Sequence, residues 1–506
     1  MGIDMFKRGT FGGKDVWKKL VGVVLVTIST VIVSVVCSYA RNLSLLNVVD
    51  MALRQSDEAL DFQDTIRLTR MDILSAEHRF DSKIIPLTSF GLHKGTGAQT
   101  LGLEIRRDTS FGSTLRYGFA GNRIDENGDY LTAYSHNARA YVKISQGLWR
   151  RWGRNYNLTE LNVAELRARE SEISVERAKQ RLIRDTVRYY YNLCLAEQLQ
   201  KDAELALQRS KEHLQAAVSK AALGLVAKTD VYRAELSVLD AESMIQNRLQ
   251  FTERARNDLK NLLRFEDEDS LTVPDNIVRM VPALDEDWTD NIFRIRPDWQ
   301  ALLVRKEILE KAYERAQKNL LPDVAISFLV EQKGRGNSTD DALQLDKTNW
   351  SIQLELLSTF DSFAEKNALV KLQVEQNKSR REEQALRRLI LQEGKEAIQE
   401  LFMEEEQSAI AQKKLHQAVM ALDLAKIRYE KGLSDNLEII DAKNTYLRAE
   451  YEAVAALVAY NIAATNLAYT MGVLDREWLE LALDRGSLSG TENQIKVTDE
   501  LFKAAH

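Results

Sequence analysis

The sequence predicts a mainly α-helical chain with a smaller β region, written as two copies of one helix–strand–helix unit. Three observations carry this. Proline is absent from Asn155 to Phe265 and from Asp361 to Thr470, where the only glycines are Gly224, Gly394 and Gly432. Two spaced similarities align the first half with the second. Short segments of period two interrupt the helical pattern once in each half.

The N-terminus has its own logic. Lys7, Arg8, Lys14, Lys18 and Lys19 precede an apolar run from Leu20 to Val36, followed by Ser38-Tyr39-Ala40. A basic region, a short apolar stretch and a small-x-small site form a secretory signal, so residues 1–40 are read as a signal peptide cleaved after Ala40. The run is about 17 residues and carries Thr27, Ser29, Thr30 and Ser34, which is short for a spanning helix. Lipidation at Cys37 is disfavoured because Val36 stands where a small residue is wanted. An uncleaved anchor over residues 20–39 is the competing reading.

Composition then narrows the function. With 44% hydrophobic and 28% charged residues the chain can bury a core. A net charge of -6 gives no electrostatic reason for nucleic-acid binding. Two cysteines cannot make a disulfide framework, and the 6 histidines are dispersed. After cleavage only Cys194 remains, expected to be an inert core thiol. Gly13-Lys14 fails as a phosphate loop because Arg8 and Asp15 replace the required Gly and Ser/Thr. No G-x-S-x-G, C-x-x-C or H-E-x-x-H occurs. Neither an enzyme nor a cofactor is expected.

The repeat is visible in two pairs of segments. Ile73-Leu74-Ser75-Ala76-Glu77-His78-Arg79, leading to Ile84-Ile85-Pro86, aligns with Leu309-Glu310-Lys311-Ala312-Tyr313-Glu314-Arg315, leading to Leu320-Leu321-Pro322. In each, a helix is expected to stop before the proline. Gly224-Leu225 through Asp230-Val231 aligns with Gly432-Leu433 through Glu438-Ile439. The first pair is offset by about 236 positions and the second by about 208, so the first half holds ~28 extra residues between Pro86 and Gly224. Asn157 to Leu223, as one helix, would run ~100 Å, a length that suits a coiled coil or helical barrel. After each glycine the heptads agree in phase. Ala442, Ala449, Ala456 and Ala463 run beside Tyr446, Ala453, Tyr460 and Leu467. Ala234, Ala241, Arg248 and Ala255 run beside Val238, Ile245, Thr252 and Leu259.

Between the helices the period changes to two. Trp350, Ile352, Leu354 and Leu356 alternate with polar residues, as do Val324, Ile326, Phe328 and Val330. Leu101, Leu103 and Ile105, and then Ala140, Val142 and Ile144, repeat this in the first half. Segments of about ten residues suit the tilted strands of a membrane barrel. So few strands cannot close a barrel in one chain, and an open edge in lipid is not tolerated, so several copies must contribute.

Taken together these residues resemble the TolC-like outer-membrane efflux channels. The resemblance rests on Leu45 to Leu53, on both helix-to-proline units and on Arg296-Pro297-Asp298. Ile144-Ser145-Gln146-Gly147-Leu148, Tyr429-Glu430-Lys431-Gly432 and Gly224 to Val231 complete it. It implies a homotrimer in the outer membrane of a Gram-negative bacterium, reaching into the periplasm. Each protomer would give four strands to a shared twelve-stranded barrel and its long helices to a periplasmic tunnel. Five candidate strands are counted against those four, including an extra hairpin around Leu101 to Phe119 that lengthens an external loop or forms a flap.

The resemblance also divides the chain. It implies a first repeat over 41–270, with a helix at 62–83, strands within 87–149 and long helices at 155–222 and 228–263. A linker follows at 271–296. The second repeat spans 297–475, with a helix at 298–320, strands at 323–332 and 348–357, and long helices at 362–430 and 436–471. A C-terminal equatorial segment and tail occupies 476–506. The exposed loops are expected at Asn122 to His136 and Gly334 to Lys347.

The site residues are implied the same way. Glu438 and Asp441 match acidic positions lining the periplasmic entrance, where three copies would form carboxylate rings favouring cations. Thr229, Asp230 and Tyr429 match polar contacts that hold the entrance shut, although Ser434 and Asp435 stand where a basic partner is expected. Gly224, Leu225, Gly432 and Leu433 form the helix-tip turns where an adaptor docks. The implied partners are a periplasmic adaptor, an inner-membrane transporter of RND, ABC or MFS type, and outer-membrane lipid. The competing class is a periplasmic adaptor held in the inner membrane by residues 20–39; a cytosolic coiled-coil scaffold fits neither the signal nor the strands.

Overall fold

The computed structural model describes residues 41–93, 96–124, 135–223, 227–265, 271–273, 277–283, 287–356, 361–431, 433 and 436–488. The expected signal peptide with Cys37 and Ala40, the middle of the first external loop and the tail lie outside the described residues. In chain order the elements are β1 (Arg41–Asn42), α1 (Leu45–Gln55), α2 (Asp57–Glu77), β2 (Lys83–His93), β3 (Thr96–Asp108), β4 (Ser113–Ile124) and β5 (His136–Gly147). Then come α3 (Arg154–Asn157), α4 (Thr159–Ala222), α5 (Lys228–Leu263), β6 (Leu271–Thr272), α6 (Trp288–Ile295) and α7 (Pro297–Asn319). The chain continues with β7 (Val324–Gly336), α8 (Thr339–Leu343), β8 (Lys347–Leu356), α9 (Phe363–Glu430), α10 (Asn436–Met471) and α11 (Arg476–Leu488).

Local chemistry sets the helix starts. The Ser44 hydroxyl accepts from the Asn47 N–H at 3.4 Å, and α1 buries Leu45, Val48, Val49 and Ala52 at helical spacing. Ser56 repeats the device for α2, accepting from the Ala59 N–H at 3.1 Å. That cap starts α2 at Asp57, ahead of its first apolar run. The helix ends at Glu77, so Pro86 does not terminate it; Pro86 lies inside β2, an edge strand of the sheet in one chain. In the second half Pro322 does stand between the helix and its strand, with α7 ending at Asn319 and β7 starting at Val324.

The two long helices span 64 and 68 residues, and each returns through a 36-residue partner. The heptad rows are the buried seams of these hairpins. Ala234, Val238, Ala241, Thr252, Ala255 and Leu259 are buried on α5, as are Tyr446, Ala449, Ala453, Tyr460, Ala463 and Leu467 on α10. Alanine and other small residues on these rows let the backbones approach closely. Thr252 uses its hydroxyl across the seam, donating to the Ala196 carbonyl at 3.2 Å. The largest core gathers α1, α11 and the 277–283 segment around the middle of α4 and the ends of α5 and α10, with Leu193, Leu259, Met280, Leu474 and Leu479 fully buried. Cys194 sits there too, and burial pushes its thiol up to about 12, so it is inert at neutral pH.

Among the described residues, all the strands except the short β1–β6 pair form one antiparallel six-stranded sheet in the order β2-β3-β4-β5-β7-β8. This exceeds the four strands per chain that the resemblance implies. The difference is the hairpin β3–β4, and it is neither a lengthened loop nor a flap. It lies in full register between β2 and β5, from Lys83↔Arg106 to His93↔Thr96 on one side and from Ser113↔Gln146 to Arg123↔His136 on the other. Part of the second expected external loop is also ordered. Ser338 caps α8, accepting from the Asp341 N–H at 3.2 Å, and Ala342 is buried against the end of β7.

Candidate functional site: the helical tips and their base

The α4–α5 and α9–α10 hairpins each end in a turn, and the predicted gate residues cluster around these turns. Gly224, Leu225 and Gly432 lie outside the described residues. Leu433 is described: its N–H donates to the Arg428 carbonyl at 2.8 Å, closing the end of α9, and its side chain is 67% exposed. Leu223 on the other turn is 75% exposed. Two bare leucines at chain reversals give each tip an apolar point.

Glu438 occupies the first turn of α10, where the helix dipole favours an acid, and Arg428 the last turn of α9, where it favours a base. Arg428 Nη1 and Glu438 Oε1 are 2.9 Å apart, so the pair bridges the turn. Sequence reasoning sought a base after Gly432; the base stands before it, one helix turn back. Asp441 lies one turn further along α10 and is exposed; its carbonyl accepts from the Thr445 hydroxyl at 2.8 Å.

Tyr429 ties the two halves together. Lys220 Nζ of α4 sits 3.9 Å from its ring centroid, and the His213 ring lies 5.8 Å away. Thr229 and Asp230 stand at the other tip, in the first turn of α5. Thr229 is exposed, and Asp230 Oδ1 lies 3.6 Å from Arg233 Nη1 on its own helix. The structure therefore places Tyr429 between repeats and Glu438 across a turn. Lys220, His213 and Arg428 were not foreseen; the signal available for Arg428 was its opposite charge flanking the same glycine as Glu438.

A polar layer lies deeper between α4 and α10. Glu450 is buried and accepts from the Tyr446 hydroxyl at 2.6 Å. Burial pushes the Glu450 carboxyl above its usual range. Asp202 on α4 is pushed up to about 7, first by burial and then by the Glu450 charge. Its Oδ1 accepts from Gln198 Nε2 at 3.1 Å, while Oδ2 is buried and has no hydrogen-bond partner among the described residues.

At the opposite end the Arg-Pro-Asp motif is a clasp. The Arg296 side chain is 3% exposed, donates to Asp298 Oδ1 at 2.9 Å, pairs with Glu393 of α9 and reaches the Thr470 carbonyl at 3.3 Å. Gly472 follows α10 with φ +79, and a Cβ there would come 2.9 Å from the Arg296 Cα, so only glycine fits. Gln180 Nε2 donates to its carbonyl at 2.7 Å, and Arg177 donates to the Tyr469 carbonyl at 2.6 Å while stacking on that ring. Four helices are thereby fastened at one level.

Long helical hairpins joined to an antiparallel sheet with one apolar face make up the fold, and known proteins share it. Residues 290–473 match the family model described as outer membrane efflux protein. The outer-membrane channel OprN superposes with a TM-score of 0.65 at 18% identity, covering 86% of this chain and 91% of that one. VceC from Vibrio cholerae gives 0.65 at 14% identity, covering 85% and 96%. The Campylobacter jejuni CmeC channel gives 0.64 at 16%, covering 88% and 90%. No curated protein matches the sequence. At these identities the solved structures establish the fold, which is that of outer-membrane channels, and the second repeat carries the efflux family's sequence pattern.

Proposed function

We propose that the protein is an outer-membrane exit duct for efflux or type I secretion, working as a homotrimer and gated at its periplasmic tips. The observation that carries this reading is the sheet. Its side chains Ile84, Leu101, Phe119, Val142, Phe328 and Ile352, one from each strand, are all large and exposed on one face. Burying such a face in lipid while pairing both sheet edges with further copies removes the two liabilities of the isolated chain together. Exposed apolar stripes on the helices, such as Tyr232, Leu236 and Leu239 on α5, supply surface for neighbouring protomers.

In this reading the chain does no chemistry. An inner-membrane transporter of RND, ABC or MFS type supplies the energy, and a periplasmic adaptor joins it to the tips at Leu225 and Leu433. The closed tip is held by contacts such as Arg428–Glu438 and Lys220–Tyr429, and adaptor contacts bias it toward an open packing. Asp441, repeated around the axis and joined by Glu438 once opening frees it from Arg428, gives the entrance its cation preference.

Membrane fractionation and single-channel recording test this. The protein should partition with the outer membrane and conduct cations in preference to anions, and the Glu438→Ala, Asp441→Ala double variant should lose that preference. Inner-membrane partition would instead favour the anchored adaptor. Unchanged selectivity in the double variant would remove the acidic entrance from the proposal.

A further inference from the structure

The hairpin β3–β4 accounts for the length difference between the repeats. The first half holds roughly 28 additional residues between Pro86 and Gly224, and the hairpin occupies Thr96 to Ile124 in that interval. Removing it in thought leaves β2 and β5 as counterparts of β7 and β8, one pair of strands for each repeat.

Three observations make the inserted strands part of a membrane wall. They are 13 and 12 residues long, beside neighbours of 11 and 12, against the ~9–11 residues needed to cross a bilayer. Their outward residues Leu103 and Phe119 pair directly, and Phe119 pairs with Ala140 of β5, so the apolar face continues unbroken. The other face is polar and internally bonded: Tyr141 donates to Glu104 at 2.5 Å, and Thr114 donates to Asp108 at 2.8 Å.

The helix-proximal turn of the hairpin is also anchored. The Gly153 N–H donates to the Phe111 carbonyl at 3.3 Å, and the Gly147 N–H to the Gly112 carbonyl at 3.3 Å. Gly112 has φ +90, and a Cβ there would lie 2.0 Å from the Arg151 carbonyl, so the turn sits flush against the junction below β5. Phe111, Trp149 and Trp152 are exposed around that junction, as an interfacial aromatic girdle requires.

We infer that each protomer gives six strands, and that three protomers close a barrel of eighteen rather than twelve. This rests on the trimeric duct proposed above. At ~4.8 Å between strands and a tilt near 40°, each strand adds about 6 Å of circumference. A twelve-stranded ring would then be ~24 Å across its backbone and an eighteen-stranded ring ~36 Å. No helix of the tunnel lies in the sequence between β3 and β4, so the insertion widens the outer-membrane wall without adding to the helical tunnel. The outer mouth is then not where cargo is sized; that falls to the tips.

Cryo-electron microscopy of the full-length protein extracted from outer membranes, together with a variant lacking residues 96–124, tests the inference. The expected counts are about eighteen strands for the wild type and about twelve for the variant, with the barrel about one third narrower. A twelve-stranded wild-type barrel would overturn it, whether the hairpin lies outside the wall or two copies close the ring. If the variant does not assemble, the wild-type strand count alone decides. Absence from the outer membrane would sink the duct reading itself, a failure distinct from a wrong strand count.

Discussion

The two repeats share a helical plan and differ in their strands. In both, a long helix turns back through a partner whose small-residue row is buried, and the heptad phase is the same. In the sheet the first repeat gives β2 to β5, whereas the second gives, among the described residues, β7 and β8. The contrast reflects two kinds of constraint. A helix seam must keep its spacing along its whole length, because each added residue rotates the face by about 100°. A sheet accepts a hairpin in register between two of its strands without disturbing what lies above or below it.

The strongest way to break this comparison is a charge on the outward face of each repeat. Leu103→Arg in the inserted hairpin and Phe328→Arg in β7 should cost alike, about 2–4 kcal/mol near the bilayer midplane. Folding titrations into lipid vesicles would measure both. A harmless Leu103→Arg would place the hairpin outside lipid.

Next come the seams. Ala234→Leu and Ala449→Leu both overpack a buried row and should each lose about 1–3 kcal/mol in thermal unfolding. A loss confined to one repeat would deny that the seams are equivalent.

Gly394→Ala probes a feature of the second repeat. A Cβ there would meet the Trp288 ring at 2.4 Å, pushing α6 off α9. The expected loss is on the order of 1 kcal/mol net of the gain in helix propensity, with a red shift in tryptophan emission. Emission unchanged from wild type would show that the ring has room to yield.

A last effect is set by pH. The Asp202 carboxyl is raised in the folded state, so folding holds its proton more tightly than the unfolded chain does. That stability is present below about pH 4, is lost as pH rises toward about 7, and is absent above. Asp202→Asn should therefore stabilise the fold at pH 8 and do little at pH 4. Equal melting shifts at both pH values would contradict the assignment.

Much of the helical architecture could be read in advance because its constraints repeat. Ala449 and Ala463, or Ala241 and Ala255, announce a seam through spacing alone. The sheet was harder to read. Leu101, Leu103 and Ile105 show alternation, but β4 carries Gly118 and Gly121 on opposite faces, which dilutes the pattern. Pro86 follows two isoleucines and reads as a helix stop, whereas in three dimensions it lies in a strand. At the tips, Glu438 could be picked out through the resemblance to the efflux channels. Its partner Arg428 depends on how sharply the chain reverses, and that is not encoded in periodicity. The Asp202–Glu450 layer joins residues on α4 and α10 that no local pattern connects.

The Arg296 clasp fixes α4, α7, α9 and the end of α10 at one level, while the tips lie at the far ends of the helices. From Gly472 back to its start, α10 is 36 residues, a lever of ~54 Å. A tilt of about 5° at the clasp would swing the far end by ~5 Å over that length. In the gated duct proposed above, a fulcrum this firm would convert a small angular slip at the base into an opening of side-chain dimensions, with no helix needing to unwind.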